Sequence, residues 1–530
     1  MDNYDAIVVG AGFSGLYMLH RLREAGLSAR VYEVGDNVGG VWYWNRYPGA
    51  RCDVESIYYN FTFSKELLQE WTWTSRYAEQ PEILAYLNHV ADRFDLRRDI
   101  QFDTRVVSAH YIEAAGKWRV ETNDGRVAMA KYFISGVGCL STSSTPRFEG
   151  LDTFGGEQYH TGTWPHEPVS FEGKRVGVIG TGSSGVQAIP QVARQAAHLY
   201  VFQRTAQYST PAANRPYDRE YVEGIKANYP AIREQVLKSW GGTTTRPRGD
   251  RCAFEDTEAE RRNRYEQAWK EGGWMHGLYK DLVTDPRANE TVGEFIRGKI
   301  REIVKAPEIA AKLAPTYLYG VKRPVMDTGY FETYNRDNVT LVDVKADPIV
   351  KITPTGLRTR DADYPLDAII FATGYDAMTG ALFRIDIRGK DGVSLRDKWS
   401  NGERIRTYLG LATAGFPNMF TITGPESPSV LSNMVWSIEQ HVEWIDACIR
   451  HMEVNRIAVI EAKPQAEEAW SRHCHEVADA TLFPKGDSWY NGSNVEGKKM
   501  SFPIYLAGIS VYREICDRVA ANGYDGFQQA

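Results

Sequence analysis

The stretch that decides the fold lies at the N-terminus and reads Asp5-Ala-Ile-Val-Val-Gly10-Ala-Gly12-Phe-Ser14-Gly15. An apolar strand runs into a tight turn, and apolar residues at helical spacing follow from Leu16 onward. In such a unit Gly10 permits the turn, Gly12 lets the backbone approach a pyrophosphate, and Gly15 lets helix and strand pack closely. The phosphates then bind at the positive N-terminus of the helix. The stretch therefore predicts a dinucleotide-binding unit.

The residues that follow indicate which dinucleotide this unit binds. A second strand ends at Glu33, eighteen positions after Gly15. A carboxylate at that position can accept a hydrogen bond from a ribose 2′-hydroxyl. The segment Gly39-Gly40-Val41-Trp42 comes next and is typical of flavoproteins, in which the chain turns back along the cofactor. We therefore expect the first unit to bind FAD.

A second copy of the glycine pattern follows the apolar strand that ends at Ile179 and reads Gly180-Thr181-Gly182-Ser183-Ser184-Gly185. The position equivalent to Glu33 lies nineteen residues after Gly185 and is Arg204. A guanidinium forms charge-assisted hydrogen bonds with a 2′-phosphate, which a carboxylate would repel. The second unit is therefore predicted to prefer NADP(H) over NAD(H).

The order of the motifs predicts an α/β fold with two Rossmann-like dinucleotide-binding domains and a helical insertion. Two apolar strands end in glycine turns at Gly136-Val-Gly138 and Ala372-Thr-Gly374, and they bracket the second copy as if the chain crossed between domains twice. Apolar residues at helical spacing in Val292–Val304 indicate the insertion, and Gly241–Asp250 is predicted to be a mobile loop. The expected parts are an FAD domain (residues 1–138 and 378–530, with a mobile lid near 486–503), an NADP domain (139–210 and 321–377) and the insertion (211–320).

Bulk properties favour an enzyme acting on small molecules. The 530 residues are 43% hydrophobic, and the net charge is −6 without a run of Lys or Arg, which argues against nucleic acid or anionic membrane as partners. No apolar run reaches the roughly 18 residues of a membrane span, and no basic, apolar leader precedes the first strand. Six cysteines without a C-x-x-C pair favour reduced thiols and argue against a flavin disulfide reductase. We expect a cytoplasmic protein.

A twelve-residue segment carries a family resemblance. Phe154-Gly-Gly156-Glu-Gln-Tyr-His160-Thr-Gly-Thr-Trp164-Pro165 matches F-x-G-x-x-x-H-x-x-x-W-P, the signature of type I Baeyer–Villiger monooxygenases. With both glycine motifs the chain resembles this family over essentially its whole length, and it looks most similar to the phenylacetone and steroid monooxygenase branch. The resemblance implies conversion of ketones to esters or lactones with O2 and NADPH, through a C4a-peroxyflavin.

The resemblance also implies catalytic residues. The segment Tyr319-Gly-Val-Lys322-Arg323-Pro324 matches the family's catalytic arginine region, which would place Arg323 beside the flavin and Lys322 near the NADP 2′-phosphate. By the same correspondence Asp53, in the segment from Tyr47 to Asp53, should hold and orient Arg323. An arginine suits an anionic intermediate because it stays protonated and offers a planar set of donors. Without the resemblance, a Lys-Arg pair is usually a solvated surface charge.

Within the signature, His160 is expected to connect loops by hydrogen bonds rather than to transfer protons. Other positions match the family less specifically. The remaining matches are FAD contacts (Ser14, Trp42, Tyr59, Val106, Met434) and NADP contacts (Arg51, Thr181, Gly182, Ser183, Ser184, Gly185, Gln187, Thr205, Trp489). The substrate pocket is expected to consist of Val54, Cys139, Leu140, Pro324 and residues 430–434, with Ser488, Trp489 and Tyr490 on the mobile lid.

Two other functions stay open at this point. An N- or S-oxidising flavin monooxygenase could share the fold and both cofactors, although Trp164-Pro165 and Arg323 argue against it. From a different class, the chain could be a non-catalytic sensor that binds FAD or NADPH. The residues do not distinguish aromatic, cyclic, long-chain or steroidal ketones.

Overall fold

The computed structural model describes residues 1–245 and 248–530, so part of the predicted loop Gly241–Asp250, namely residues 246 and 247, lies outside the described residues. The strands in chain order are β1 (Asp2–Val9), β2 (Ala29–Tyr32), β3 (Ile100–Gln101), β4 (Val106–Ile112), β5 (Lys117–Thr122), β6 (Val127–Ser135), β7 (Glu157–His160), β8 (Arg175–Ile179), β9 (His198–Gln203), β10 (Ser209–Pro211), β11 (Val325–Asp327), β12 (Val339–Asp343), β13 (Ile349–Thr353), β14 (Gly356–Thr359), β15 (Asp363–Pro365), β16 (Ala368–Phe371), β17 (Asp386–Arg388), β18 (Met419–Thr421), β19 (Ile460–Ala462) and β20 (Phe527–Gln529).

The α-helices are α1 (Phe13–Glu24), α2 (Val41–Trp44), α3 (Lys65–Glu70), α4 (Gln80–Arg93), α5 (Ser183–Gln195), α6 (Arg219–Leu237), α7 (Glu258–Glu271), α8 (Pro286–Ile303), α9 (Pro307–Leu313), α10 (Tyr330–Thr333), α11 (Leu395–Lys398), α12 (Met434–Asn455), α13 (Pro464–Asp479) and α14 (Ile509–Ala521). Within the described residues, none of these helices is long and apolar enough to cross a lipid bilayer.

The first glycine motif lies at the centre of an eight-stranded sheet. Its strand order is β17-β4-β5-β6-β1-β2-β3, and β18 also pairs with β6. The pairs that β1 forms with β2 and β6 are parallel. Ala6, Ile7 and Val8 of β1 are fully buried, as expected for a strand covered on both faces.

The second glycine motif lies in a separate sheet of five parallel strands, in the order β12-β9-β8-β16-β7. The chain forms β1–β6 in the first sheet, contributes β7–β9, β12 and β16 to the second, and returns to the first with β17 and β18. One mixed sheet with a parallel part around β1 and one parallel sheet, connected by a crossing chain, confirm the predicted α/β class with two Rossmann-like domains.

The helical insertion packs on the second unit. Helix α8 contains most of the predicted helix Val292–Val304 but begins earlier, because the Asp285 side chain accepts a hydrogen bond from the Arg287 N–H (2.8 Å) and Pro286 occupies the first turn. Its buried residues Val292 and Ile296 join one core with residues of β8 and β9. The insertion and the second sheet therefore fold around a shared core.

Candidate functional site

A cavity of about 930 Å³ lies where the two sheet units meet. The turns that follow β1 and β8 both open into it, so it stands at the carboxyl ends of parallel strands. Open α/β sheets bind their ligands at that edge. The geometry of the two turns therefore decides what the cavity can hold.

The first turn brings three backbone segments together. Gly10 has a φ of +98°, and a Cβ there would lie 2.7 Å from the Gly136 carbonyl oxygen. A Cβ on Gly15 would lie 1.8 Å from the Gly10 carbonyl oxygen, so this glycine faces the strand rather than the cavity. Helix α1 begins after Gly12 without a side-chain cap, so its first N–H groups remain available to an anion. This turn fits the pyrophosphate of a dinucleotide.

Glu33 follows β2 and lines the same end of the cavity. Its carboxylate accepts hydrogen bonds from the backbone N–H of Ala11 (2.7 Å) and of Gly35 (2.9 Å), which fix its direction. Burial raises the pKa of Glu33, although these N–H groups oppose the shift. Each carboxylate oxygen has a second lone pair, so Glu33 can also accept a bond from a ribose hydroxyl.

The second turn repeats this geometry with an opposite charge beside it. A Cβ on Gly185 would lie 2.2 Å from the Gly180 carbonyl oxygen, whereas a Cβ on Gly182 would meet nothing within 4 Å. Helix α5 also begins without a side-chain cap. Arg204 is exposed at the rim of the cavity, and Lys322 lines the same cavity.

The charges of Arg204 and Lys322 act on each other. Burial lowers the pKa of Lys322, Asp487 opposes the shift, and the positive charge of Arg204 adds to the lowering. The Lys322 ammonium donates a hydrogen bond to the Asp487 carbonyl oxygen. Two neighbouring cations at the end of a dinucleotide site suit a 2′-phosphate, which two charge-assisted contacts would neutralise.

Arg323 extends into the cavity with its guanidinium fixed by Asp53. Nε donates to Oδ2 of Asp53 (2.7 Å), Nη2 donates to Oδ1 (3.0 Å), and Nη1 donates to the Val430 carbonyl oxygen (2.5 Å). Burial lowers the pKa of Arg323, but Asp53 and Tyr490 raise it, and the net pKa lies above the ordinary value of arginine. Three of the five N–H donors are used in these bonds. The group therefore stays charged and keeps donors for an oxygen anion.

The face of the Arg323 guanidinium rests on a residue that no sequence motif indicates. The guanidinium carbon lies 4.6 Å from the centroid of the Trp274 ring, a cation–π geometry. Trp274 belongs to the helical insertion, in the segment between α7 and α8, and it does not line the cavity. Trp274 is far from Arg323 in the sequence and shares no motif with it, so no residue spacing could have predicted their contact.

Most of the predicted site residues line the cavity together. The exceptions are Gly15 and Gly185, whose role is packing behind the turns, and four predicted pocket and lid residues that are not among the lining residues, namely Pro324, Leu431, Asn433 and Tyr490. The predicted residues that line it are Gly10, Gly12, Ser14, Glu33, Gly40, Val41, Trp42, Arg51, Asp53, Val54, Tyr59, Val106, Cys139, Leu140, Thr181, Gly182, Ser183, Ser184, Gln187, Arg204, Thr205, Lys322, Arg323, Val430, Ser432, Met434, Ser488 and Trp489.

The twelve-residue signature lies beside the cavity. The His160 Nδ1 accepts a hydrogen bond from the Gly162 N–H (2.9 Å), and its Nε2 lies 3.4 Å from the Ser144 carbonyl oxygen and from the Thr373 hydroxyl. Burial lowers the pKa of His160. Trp164 stacks on Tyr159 with ring centroids 5.1 Å apart. The signature thus connects the edge of the second sheet to the strand ends that open into the cavity.

The predicted lid, residues 486–503, contributes Ser488, Trp489 and Asn494 to the cavity wall. Asn494 donates to the Tyr375 carbonyl oxygen (2.8 Å), and the Lys498 ammonium contacts the Asp376 carboxylate (2.5 Å). These bonds hold the segment over the glycine turn that follows β16. Its mobility stays a prediction.

Comparison with known proteins gives consistent results along the whole chain. Residues 4–223 match the family model described as flavin-binding monooxygenase-like. The chain is 47% identical over 527 residues to a Baeyer–Villiger monooxygenase of Pseudooceanicola batsensis, covering 98% of this chain and 95% of that protein. It is also 44% identical to a cyclohexanone 1,2-monooxygenase of an Acinetobacter species (99% and 96% covered) and to the phenazine N-monooxygenase PhzNO1 of Lysobacter antibioticus (99% and 97% covered).

A solved structure agrees with these relatives. An oxidized steroid monooxygenase bound to NADP superposes with a TM-score of 0.95 and 50% identity, and 99% of each chain is covered. The likeness expected for the steroid monooxygenase branch is therefore confirmed. Because identities of this size extend over nearly the full length of both proteins, the chain belongs to the Baeyer–Villiger monooxygenases.

Proposed function

We propose that this monooxygenase inserts one oxygen atom of O2 beside the carbonyl carbon of a ketone, with FAD and NADPH as cofactors, and releases an ester or a lactone. The observation that carries the proposal is the largely buried Arg323 guanidinium, which Asp53 holds through two hydrogen bonds at the meeting point of two dinucleotide sites. The family membership and the NADP held by a related structure support the same reaction.

The proposed cofactor sites follow the two glycine turns. FAD would bind along Gly10, Gly12 and Glu33, in a domain formed by residues 1–138 and 378–530. NADPH would bind along Gly182 and Arg204, in a domain formed by residues 139–210 and 321–377, with residues 211–320 as the insertion. Bound FAD, reduced by NADPH, would supply the electrons that activate O2. The chain positions both cofactors around the same cavity.

Arg323 performs the electrostatic part of this reaction. Negative charge develops on oxygen during O2 activation and during attack on the ketone carbonyl, and a buried cation stabilises such charge far more strongly than one in water. Asp53 fixes the guanidinium without removing its remaining donors. Apolar side chains beside it, including Leu140, Val430 and Met434, limit access of water and favour an apolar ketone.

The test is an assay on purified holoenzyme with NADPH, O2 and a panel of aromatic, cyclic, long-chain and steroidal ketones. We expect ketone-dependent NADPH oxidation and an ester or lactone as the product, identified by mass spectrometry. A panel in which every ketone leaves only hydrogen peroxide would contradict the proposal.

One relative gives a second candidate function. The phenazine N-monooxygenase is as similar to this chain as the cyclohexanone 1,2-monooxygenase. The panel should therefore include aromatic N-heterocycles. N-oxide formation without any ester would favour nitrogen oxidation over the proposed ketone reaction.

A further inference from the structure

The guanidinium of Arg323 is held from two sides by segments that are far apart in the sequence. Asp53 binds its edge, and the Trp274 ring covers its face at 4.6 Å. The Asp53 carboxylate and the Val430 carbonyl oxygen bind N–H groups at the edge of the guanidinium, and the Trp274 ring limits its tilt out of that plane. The edge and face contacts together define one direction for the remaining N–H donors.

The position of Trp274 depends on the turn that precedes it. Gly272 and Gly273 have φ values of +77° and +94°, which reverse the chain at the end of α7. A Cβ on Gly272 would lie 2.7 Å from the Ala212 carbonyl oxygen, so this turn packs against the chain beyond β10. The Gly273 N–H also donates to the Pro211 carbonyl oxygen (2.8 Å).

Arg76 binds this turn from the other side. Its Nη1 donates to the Glu271 carbonyl oxygen (2.6 Å), directly before the two glycines, and its Nε donates to the Glu55 carboxylate. Arg76 and Glu55 are 6% and 8% exposed, so their ion pair is buried. The second Glu55 oxygen accepts from the Thr245 hydroxyl (2.6 Å). Neither Arg76 nor Glu55 lines the cavity.

These contacts connect the two segments that hold Arg323. Glu55 stands two residues after Asp53 in the same short segment, so Arg76 connects the segment that holds the edge of Arg323 to the turn that places Trp274 on its face. A buried ion pair is costly to break, because either partner alone is left charged and desolvated. A shift of either segment therefore displaces the other.

We propose that the Glu55–Arg76 ion pair and Trp274 are positioning residues that set the direction of the Arg323 guanidinium. The proposal rests on the function proposed above for Arg323. It predicts that substituting these residues lowers the amount of ester formed per NADPH oxidised. Cofactor binding should not change, because none of these residues lines the cavity.

The experiment compares Arg76→Met, Glu55→Gln and Trp274→Leu holoenzymes with the wild type and with Trp274→Phe. The measured quantity is the amount of ester formed per NADPH oxidised, with hydrogen peroxide as the competing product. We expect this ratio to fall by about tenfold to a hundredfold, the cost of a small misplacement of a catalytic group. FAD content and the anaerobic rate of flavin reduction by NADPH should not change, and Trp274→Phe should restore most of the ratio because it keeps an aromatic face.

The control for general destabilisation is Arg21→Met. Arg21 forms an ion pair (2.5 Å) with the buried Asp446 and joins α1 to α12, away from the cavity lining. This variant should unfold at a lower temperature and keep the ester ratio. Glu55→Gln keeps the volume of the side chain, so it tests the proposal even where Arg76→Met does not fold.

An Arg323→Lys background separates positioning from other effects. If Trp274 acts through the guanidinium, Trp274→Leu should cost less in that background than in the wild type. An unchanged ester ratio in Arg76→Met and Trp274→Leu, or equal losses in both backgrounds, would overturn the positioning proposal. Ester formation by Arg323→Ala at close to the wild-type rate would instead overturn the role of Arg323 itself.

Discussion

At the residue scale, different neighbours maintain the charge of Arg323 and the direction of its guanidinium. Its charge is kept by Asp53 and Tyr490, which raise its pKa against the effect of burial. The Asp53 carboxylate and the Val430 carbonyl oxygen hold the edge of its guanidinium, and the Trp274 ring covers its face. A cation that needs no rearrangement when negative charge forms is an efficient electrostatic catalyst.

Replacing Arg323 by alanine should remove ester formation and leave the earlier steps intact. The variant loses a buried donor set aimed at developing negative charge, which costs about 10²- to 10³-fold in similar sites. FAD should still bind and should still be reduced by NADPH, because the glycine turns are unaffected. The measurements are the flavin spectrum, stopped-flow reduction and product analysis. Ester formation close to the wild-type rate would contradict the proposed role.

Replacing Arg204 by alanine should weaken the preference for NADPH. The variant loses a charge-assisted contact with the 2′-phosphate, and hydrogen bonds to charged groups contribute about 1.5–3 kcal/mol. We expect kcat/KM for NADPH to fall by about tenfold to a hundredfold, since about 1.4 kcal/mol corresponds to tenfold, while the value for NADH stays the same. Arg194→Ala is the control, because Arg194 is an exposed arginine of α5 that does not line the cavity. An equal loss with both nucleotides would argue against a phosphate contact.

Sequence patterns predicted part of this site. Arg204 follows from its spacing after a glycine motif, and Asp53 and Arg323 follow from a family resemblance. Trp274 and Arg76 could not be predicted, because both act through tertiary contacts that no sequence motif links. A cation–π contact or a bond to a backbone carbonyl leaves no residue pattern to detect.

At the scale of elements, the three glycines of each turn have different functions. The third glycine is needed by the protein itself, because helix and strand approach each other closely there. The second glycine stands at the start of the helix, where a pyrophosphate would bind, and in the second turn a Cβ on this glycine, Gly182, would meet nothing within 4 Å. The two functions can be separated by substitution in the second turn.

Gly185→Ala should therefore lower the stability of the protein, whereas Gly182→Ala should weaken the binding of NADPH. A methyl group on Gly185 would lie 2.2 Å from a backbone oxygen, and such overpacking costs about 1–3 kcal/mol or more, so the melting temperature should fall. A methyl group on Gly182 meets nothing within 4 Å, so the melting temperature should hold while KM for NADPH rises. Thermal unfolding and steady-state kinetics measure the two effects. A Gly185→Ala variant with the melting temperature of the wild type would contradict this prediction, because the turn would have moved to accommodate the methyl group.

The sequence predicted the long elements better than the short ones. The strand, turn and helix around each glycine motif have the apolar periodicity that the structure requires. Strands β17 and β18 have three residues each, too few to show an alternation. They become strands because β4 has an outer edge and β6 extends beyond the end of β5, and only the folded sheet provides these places to pair.

At the scale of the whole molecule, the two units meet through a short segment of the first one. The Tyr47 hydroxyl donates to the Gln187 side chain (2.7 Å), and the Gln187 amide donates to the Arg51 carbonyl oxygen (3.1 Å). Asp53 follows within the same segment. The residues that contact the second unit and the residue that binds Arg323 therefore belong to one short stretch of chain. The position of the second unit on the first affects the site directly.

The stability of the whole molecule should depend on pH through a buried acid that does not line the cavity. Glu439 of α12 accepts hydrogen bonds from the Thr62 N–H (2.5 Å) and from its hydroxyl (2.7 Å). Burial, together with the negative charge of Glu443, raises the pKa of Glu439 from 4.5 to about 7, although the Thr62 bonds oppose the shift. The folded protein therefore binds a proton more tightly than the unfolded chain.

Because the folded pKa is raised, the stabilising contribution is complete below about pH 4.5 and is lost as the pH rises through about 7. A shift of this size corresponds to at most about 3 kcal/mol. Glu439→Gln, which resembles the protonated acid, should thus gain melting temperature relative to the wild type as the pH rises from about 5 to about 8. Glu468→Gln, at an exposed position of α13, is the control and should show no such trend. A difference between Glu439→Gln and wild type that stays constant over this range would mean that Glu439 is ionised in the folded protein at both ends.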